Sequence, residues 1–214
     1  MRAITVALLL ALACPATAAA QDATDPLAPA RAIIDQAQAG DLFTPSMEAD
    51  RITVHHNRSR LVCHFRPSER ARIQIYSVQD GGPPRGDDVS CGVPIAGAYA
   101  TFYATRYPQA VSVDDALAES VYEITHVSPQ AREYESIVPR NPLEPISSRT
   151  QSFIIPNFMR QPGVFYSRTS VAVLDGWVYL MRFTGPEGGA TEQGAEDAWR
   201  AFEGDLATAP TPAN

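Results

Sequence analysis

A hairpin near the C-terminus places the strongest constraint on the fold of this 214-residue chain. Residues 164–174 and 177–184 predict two strands that meet at Asp175-Gly176, a dipeptide typical of two-residue hairpin turns. Side chains alternate between the two faces of a strand, and both faces of this hairpin are apolar. One face carries Val171, Val173, Val178 and Leu180, and the other carries Leu174, Trp177, Tyr179, Met181 and Phe183. The hairpin is therefore expected at the centre of a sheet that is covered on both sides.

Other segments supply further strands and helices. Residues 51–78 alternate apolar and polar side chains and predict three antiparallel strands. Residues 99–106 predict another strand, and the helical signals fall at residues 25–40, 112–127 and 191–206. Because the strands occur in hairpins, the sequence predicts an α+β fold with a single antiparallel sheet and flanking helices. This order of elements resembles that of the photosystem II extrinsic proteins and their bacterial relatives, and no site or activity is carried over from the resemblance.

The first 20 residues have the features of a secretory signal peptide. Arg2 gives a positive start, an apolar run of about ten residues follows, and the small residues Ala18 and Ala20 match the cleavage pattern. The run is shorter than the roughly 20 residues that a membrane-spanning helix needs. A lipoprotein signal at Cys14 would normally have Leu three residues earlier, where Ala11 stands. Cleavage after Ala20 predicts a periplasmic or secreted protein with no transmembrane segment after cleavage.

The mature chain is expected to form one domain. Residues 21–207 are long enough to bury a core, and residues 208–214 form a Pro/Ala/Thr tail that is predicted to be disordered. Residues 139–163 are rich in proline and predict a mainly irregular segment, which is often a functional feature in compact domains. All 17 basic residues are arginine, which is typical of GC-rich bacterial genomes and excludes chemistry that uses a lysine side chain.

Two cysteines remain once the signal peptide is removed. Cys63 and Cys91 form an even pair in a chain predicted to be exported, and such a pair predicts one disulfide. Redox centres usually use the C-x-x-C pattern, and metal sites usually have three or four ligands. The pair matches neither pattern, so a structural disulfide is the preferred interpretation.

The sequence contains no motif of a known catalytic chemistry. It has no G-x-S-x-G elbow, and no pattern orders its serines, histidines and aspartates into a triad. The four histidines lack carboxylates at ligand spacing. We therefore predict no catalytic residue, no metal site and no cofactor, and expect a non-enzymatic protein. An exported hydrolase with an unrecognised site is the alternative.

The chain is acidic, with a formal net charge of −7, but residues 51–72 are locally basic. The acidic balance disfavours nucleic-acid binding, which needs a basic surface. Within the basic stretch His64, Arg66 and Arg72 share one predicted sheet face, with Arg60 at its edge. Guanidinium groups bind carboxylates and phosphates, so these residues predict a site for an anionic small molecule, a lipid headgroup or an envelope protein. A solvated face that pairs with the protein's own carboxylates is the alternative.

An apolar stretch within the proline-rich segment predicts a contact surface if it is exposed. Its members are Phe153, Ile154, Ile155, Phe158 and Met159. Core packing beneath a long loop is the alternative. The leading functional hypothesis is a periplasmic envelope accessory or binding module, and a further alternative is a subunit of an envelope complex that uses residues 139–163 as its interface.

Overall fold

The computed structural model describes residues 25–76, 83–95, 97–140 and 146–209. The predicted signal peptide lies outside the described residues, as does the predicted tail from residue 210 onward. The described part of the chain is mostly β, with two sheets and three α-helices. The helices are α1 (Ala28–Gln36), α2 (Val113–Val127) and α3 (Gly189–Thr208).

The two sheets contain three and seven strands. The smaller sheet has the order β1-β2-β3, with β1 at Phe43–Glu48, β2 at Arg51–His56 and β3 at Val62–Phe65. The larger sheet has the order β4-β5-β6-β10-β9-β8-β7, and all its neighbouring strands are antiparallel. Its strands are β4 (Arg72–Ile75), β5 (Asp88–Ile95), β6 (Ala98–Thr105), β7 (Arg132–Tyr134), β8 (Ser148–Pro156), β9 (Val164–Leu174) and β10 (Trp177–Pro186).

The prediction of an α+β fold with a single antiparallel sheet is wrong, because the described residues are mostly β and form two sheets. Of the three strands predicted in residues 51–78, only β2 and β3 pair with each other, whereas β4 pairs with β5 in the larger sheet. Between β3 and β4 a turn forms in which the Glu69 N–H donates to the Arg66 carbonyl. Alternation of side chains shows which face of a strand is buried but carries no information about the partner strand. The pattern therefore predicted the strands and missed their division between two sheets.

The predicted disulfide is confirmed and joins the two sheets. Cys63 lies on β3 and Cys91 lies on β5, with their Cα atoms 6.5 Å apart. Both cysteines are buried in the main core, so the bond ties together two layers that would otherwise be held by side-chain packing.

The central hairpin is formed by β9 and β10, and its two apolar faces pack against different helices. Trp177, Tyr179 and Phe183 enter the main core, which also contains residues of α3 and of the smaller sheet. Val171 and Val178 point the other way and pack with Ala116 of α2. The larger sheet is thus covered by α3 and the smaller sheet on one face and by α2 on the other.

The sequence predicts the start of α2 correctly, whereas it misses most of strand β8. The Ser112 hydroxyl accepts a hydrogen bond from the Asp115 N–H at 3.0 Å, which caps the start of α2 as its sequence predicts. Strand β8 runs through the segment 139–163 that was expected to be mainly irregular, while residues 141–145 lie outside the described ranges. Among the helices of the described ranges, none is both long and apolar enough to cross a membrane.

Candidate functional site

A cavity of about 530 Å³ lies between α3 and the strands β3, β5 and β6. We call it the α3 cavity. Pockets of 300–1,000 Å³ are typical of sites for small molecules, so its size is compatible with a bound ligand. Its apolar wall is formed by Val62, Phe65, Val93, Ile95, Phe102 and Phe202.

The cavity exists because α3 carries small residues where it faces these strands. Gly194, Ala198 and Ala201 line the cavity at spacings of four and three residues, which places them on one side of the helix. Larger side chains on the same helix, such as Trp199 and Phe202, are fully buried and hold α3 against the larger sheet. The helix is therefore anchored beside a gap that its small residues leave open.

His64 stands in the wall of the cavity with both ring nitrogens engaged. Strand β3 pairs with β2 so that His64 is opposite Thr53, and the Thr53 Oγ1 is 3.1 Å from His64 Nδ1. The other ring nitrogen, Nε2, lies 3.0 Å from the Asp205 Oδ2 of α3. This hydrogen bond raises the pKa of His64 despite the opposing effect of burial. The imidazole is thus fixed in place and electrostatically favoured as a cation.

Two guanidinium groups flank the same cavity. Arg51 begins β2 and Arg66 follows β3, and both line the cavity and are exposed. Ile52 is opposite Phe65 in the β2–β3 register, so the next position along places Arg51 and Arg66 at the same end of the strand pair. Like charges at opposing positions destabilise a sheet. An anion bound between them would relieve that repulsion.

Neither guanidinium has a hydrogen-bond or ion-pair partner within the described part of the chain. The carboxylates that line the cavity each accept a hydrogen bond from another group. Glu69 accepts from the Arg66 N–H at 2.8 Å, Asp197 accepts from the Gln193 amide at 2.9 Å, and Asp205 is bound to His64. These carboxylates keep further acceptor positions. Arg51 and Arg66 differ from them in that no hydrogen-bond partner of either guanidinium occurs in the described ranges.

The structure separates the four residues of the predicted anion site. His64 and Arg66 line the α3 cavity, as their shared face predicts. Arg60 instead binds the Asp175 carboxylate at 2.8 Å and the Leu206 carbonyl at 2.9 Å. Arg72 belongs to the other sheet, where its guanidinium lies over the Tyr99 ring at 5.2 Å. The assignment of Arg72 to one face with His64 fails because β4 is not a neighbour of β3.

Arg51 and Asp205 belong to the cavity and were not assigned to the site from the sequence. Arg51 could have been included, because a β2–β3 hairpin with His64 near Thr53 brings Arg51 next to Arg66. Asp205 could not, since it lies 141 residues after His64 and no local pattern connects the two.

The predicted contact surface lies largely in the protein interior. Phe153 and Ile155 are 0% and 1% exposed and pack with Ile124 of α2, and Ile154 packs against the main core. Phe158 is partly buried against the Phe153 cluster, and the side chain with extensive exposure is that of Met159, at 76%. The stretch is mainly core because β8 is an inner strand of the sheet with α2 above it.

No group of three or more histidine, cysteine, aspartate or glutamate side chains that could hold a metal ion occurs in the described ranges. His55 shares one face of the β2–β3 pair with His64, and its ring lies 3.1 Å from the Ser46 hydroxyl.

No protein-family model matches this chain, and no curated protein matches it. Among solved structures, the chain is similar to a protein of unknown function from Pseudomonas aeruginosa. The two chains are 13% identical, and the match covers 80% of this chain and 99% of the other with a TM-score of 0.37. A likeness of this size carries no argument about function.

Proposed function

We propose that the chain is an exported, non-enzymatic binding module of the bacterial envelope whose α3 cavity holds an amphipathic anion. The observation that carries the proposal is the pair of partnerless guanidinium groups, Arg51 and Arg66, beside an apolar cavity of about 530 Å³. The head of the ligand would lie between these two groups and near His64. Its apolar body would lie under α3 against Phe102 and Phe202.

Binding fits the cavity better than hydrolysis does. A histidine that acts as a general base needs one ring nitrogen directed at a nucleophile or a water. Both nitrogens of His64 are instead engaged, and the hydroxyl of Thr53 belongs to a side chain that is 0% exposed. The residues that line the cavity in the described ranges include no serine or cysteine nucleophile. The alternative of an exported hydrolase therefore has no support from this cavity.

The binding proposal is tested by calorimetric titration of the mature protein with octyl phosphate, inorganic phosphate and 1-octanol. Octyl phosphate should bind most tightly, because it combines the charge with up to about 0.8 kcal/mol for each buried methylene group. Arg51→Gln and Arg66→Gln should each weaken its binding by roughly tenfold or more through the loss of a charge-assisted hydrogen bond. Arg200→Gln is the matched control, since Arg200 is an exposed arginine of α3 outside the cavity lining.

Two results would contradict the binding proposal. One is equal affinity of the protein for octyl phosphate and 1-octanol, which would show that the charge is not recognised. The other is an equal loss of affinity in the Arg66 and Arg200 variants, which would attribute binding to net charge alone.

Export is tested separately by expressing the full-length chain in a Gram-negative host and fractionating the cells. We expect a protein in the periplasmic fraction whose intact mass corresponds to a chain that begins at Gln21, because the small residues Ala18 and Ala20 precede it. An uncleaved chain in the cytoplasmic fraction would contradict the proposed location. Replacement of the apolar residues of the leader by charged ones serves as the control for export.

A further inference from the structure

A second cavity, of about 500 Å³, lies on the opposite face of the larger sheet. We call it the α2 cavity. Helix α2 packs on β8 and β9 and leaves β5, β6 and part of β10 uncovered on this side. Ala116 and Ser120 of α2 form one wall, and Val178 and Leu180 of β10 form an apolar floor. None of the residues of the predicted anion site lines it.

Tyrosines give the α2 cavity an aromatic surface. Tyr103 of β6 lies in the lining and stacks with Tyr76, with ring centroids 6.1 Å apart and an angle of 25° between the planes. Tyr107 stands at the mouth with 36% exposure. Aromatic faces attract organic cations through the negative potential of the ring.

Carboxylates converge on the same mouth from two elements. Asp88 comes from β5, and Glu119 and Glu123 come from α2. The pKa of Tyr107 is raised to about 12. Burial is the largest cause, and the charges of all three carboxylates also raise this pKa. Convergence of charges from a strand and a helix requires the tertiary fold, because Glu119 is 31 residues from Asp88 in the sequence.

The three carboxylates are not equally available to a ligand. Glu123 is already paired with Arg182, which also donates to the Ser120 carbonyl at 3.2 Å. Asp88 accepts one hydrogen bond, from the Thr105 hydroxyl at 2.9 Å, and Glu119 accepts one, from the Tyr107 hydroxyl at 3.3 Å. A carboxylate has about four acceptor positions, so both retain capacity for a further donor.

Two guanidinium groups also line the cavity, but the carboxylates outnumber them. Arg182 is neutralised by Glu123. Arg106 lines the cavity as an exposed residue, so three carboxylates stand against two guanidinium groups. The space between Asp88, Glu119 and Tyr107 is therefore suited to a positive group.

We propose that the α2 cavity is a second binding site, for an organic cation that carries an ammonium group on an apolar or aromatic body. The ammonium group would lie between Asp88 and Glu119 beside Tyr107. The body would lie over Tyr103 and against Leu180. This site is independent of the α3 cavity, so either proposal can fail without the other.

Burial raises the pKa of Asp88, with a further contribution from Glu123. A bound cation favours the ionised carboxylate. Affinity for the cation is therefore expected to fall as the pH decreases through the pKa of Asp88, and binding of a cation should in turn lower that pKa.

The test is an NMR and calorimetric titration of the mature protein with phenethylammonium chloride, with 2-phenylethanol as its neutral counterpart. We expect saturable binding of the ammonium compound, with backbone shifts concentrated in α2 and β6, and binding of the alcohol at least about tenfold weaker. Asp88→Asn and Glu119→Gln should each weaken binding of the ammonium compound by roughly tenfold. Glu119 is exposed, so its variant reports on the site even if the Asp88 variant fails to fold.

Two matched controls isolate the site. Glu133→Gln removes an exposed carboxylate on β7 that lines neither cavity, and Arg66→Gln alters the α3 cavity. Neither should change the affinity for phenethylammonium. Equal binding of the neutral alcohol, displacement of the ammonium compound by millimolar Ca²⁺, or full affinity in the Glu119 variant would each overturn the proposal.

Discussion

His56 and His64 lie in the smaller sheet, in environments that shift their pKa values in opposite directions. His56 is buried, with its ring 5.0 Å from Phe43 and 5.7 Å from Trp177, and burial followed by the charge of Arg58 lowers its pKa to about 4. His64 donates a hydrogen bond to the Asp205 carboxylate, and this bond raises the pKa of His64. The two residues therefore give the protein opposing dependences of stability on pH.

Asp205→Asn is expected to lower the pKa of His64, because the hydrogen bond to Asp205 is the main cause of its raised value. Since the folded-state pKa lies above the unfolded value of 6.5, this interaction stabilises the fold fully below about pH 6.5 and is lost as the pH rises through the folded pKa. Titration of the His64 ring protons by NMR measures the pKa directly. An unchanged pKa in the Asp205 variant would contradict the assignment.

His56 predicts a loss of stability in the acidic range. Its pKa is about 4 in the folded protein and about 6.5 in the unfolded chain, so the unfolded chain takes up the proton first as the pH falls. The free energy of unfolding should fall between pH 6.5 and pH 4, by roughly 3 kcal/mol at the lower end. Urea denaturation across this range tests the effect. The fall should be shallower in His56→Asn, and an identical slope would show that other groups cause it.

At the residue scale, the sequence predicts which side chains share a face where the signal is local. Alternation along β3 placed His64 and Arg66 together, and the structure brings both to the α3 cavity. Arg72 was assigned to the same face on the same pattern, but the pattern could not show that its strand joins the other sheet. The contact between His64 and Asp205 depends on packing of α3 against β3, which no periodicity in the sequence reports.

At the scale of elements, α3 buries acidic side chains among its apolar ones. Glu196 and Glu203 are 3% and 0% exposed, and they share the buried side of the helix with Trp199 and Phe202. Their spacing of three and four residues from Trp199 was visible in the sequence, but a glutamate is normally assigned to the solvent face. The opposing β8 and β9 supply the polar partners, among them Arg168.

Glu196→Gln is expected to lower the free energy of unfolding by about 3–5 kcal/mol, because it leaves the buried Arg168 charge without its carboxylate partner. The Arg168–Glu196 pair is 2.7 Å apart with both side chains almost fully buried. Arg149→Gln provides the control, since the Arg149–Asp114 pair is solvent-exposed and should contribute at most about 1 kcal/mol. Chemical denaturation compares the two. Similar losses in both variants would show that burial does not strengthen the Arg168 interaction.

The disulfide gives a second prediction at this scale. Replacing Cys63 and Cys91 by alanine should lower the free energy of unfolding by about 3.5 kcal/mol, because the bond closes a loop of 28 residues in the unfolded chain. Urea denaturation of the double variant and of the oxidised and reduced parent protein measures the loss. Equal stability of the oxidised and reduced parent would contradict a structural role for the bond.

At the scale of the whole molecule, local patterns predicted the pieces better than their arrangement. The β9–β10 hairpin with its two apolar faces, the capped α2 and the cysteine pair all appear as their sequences predict. The division into two sheets was missed, because pairing between distant strands is determined by packing of the complete chain. The length of the inner strand β8 is also missed by the sequence, because the prolines around it indicate an irregular segment.

The two cavities have a common origin in this arrangement. Each face of the larger sheet is covered by a helix that is too narrow for seven strands, so a gap remains beside α3 on one face and beside α2 on the other. The α3 cavity is lined by two arginines, His64 and three carboxylates, and the α2 cavity by two arginines and three carboxylates. The two proposals therefore depend on where the individual charged groups stand in each cavity, and not on a difference in net charge between the cavities.

The most direct test of the α3 cavity as a binding site is an NMR titration of the purified protein with octyl phosphate. We predict that the backbone signals of Ala198, Ala201 and Val93 shift saturably, because these residues line the cavity. The backbone signals of Ala116 and Glu119 of α2, on the opposite face of the larger sheet, should remain unchanged. Shifts centred on Ala116 and Glu119, or no saturable shift in any region, would contradict the account.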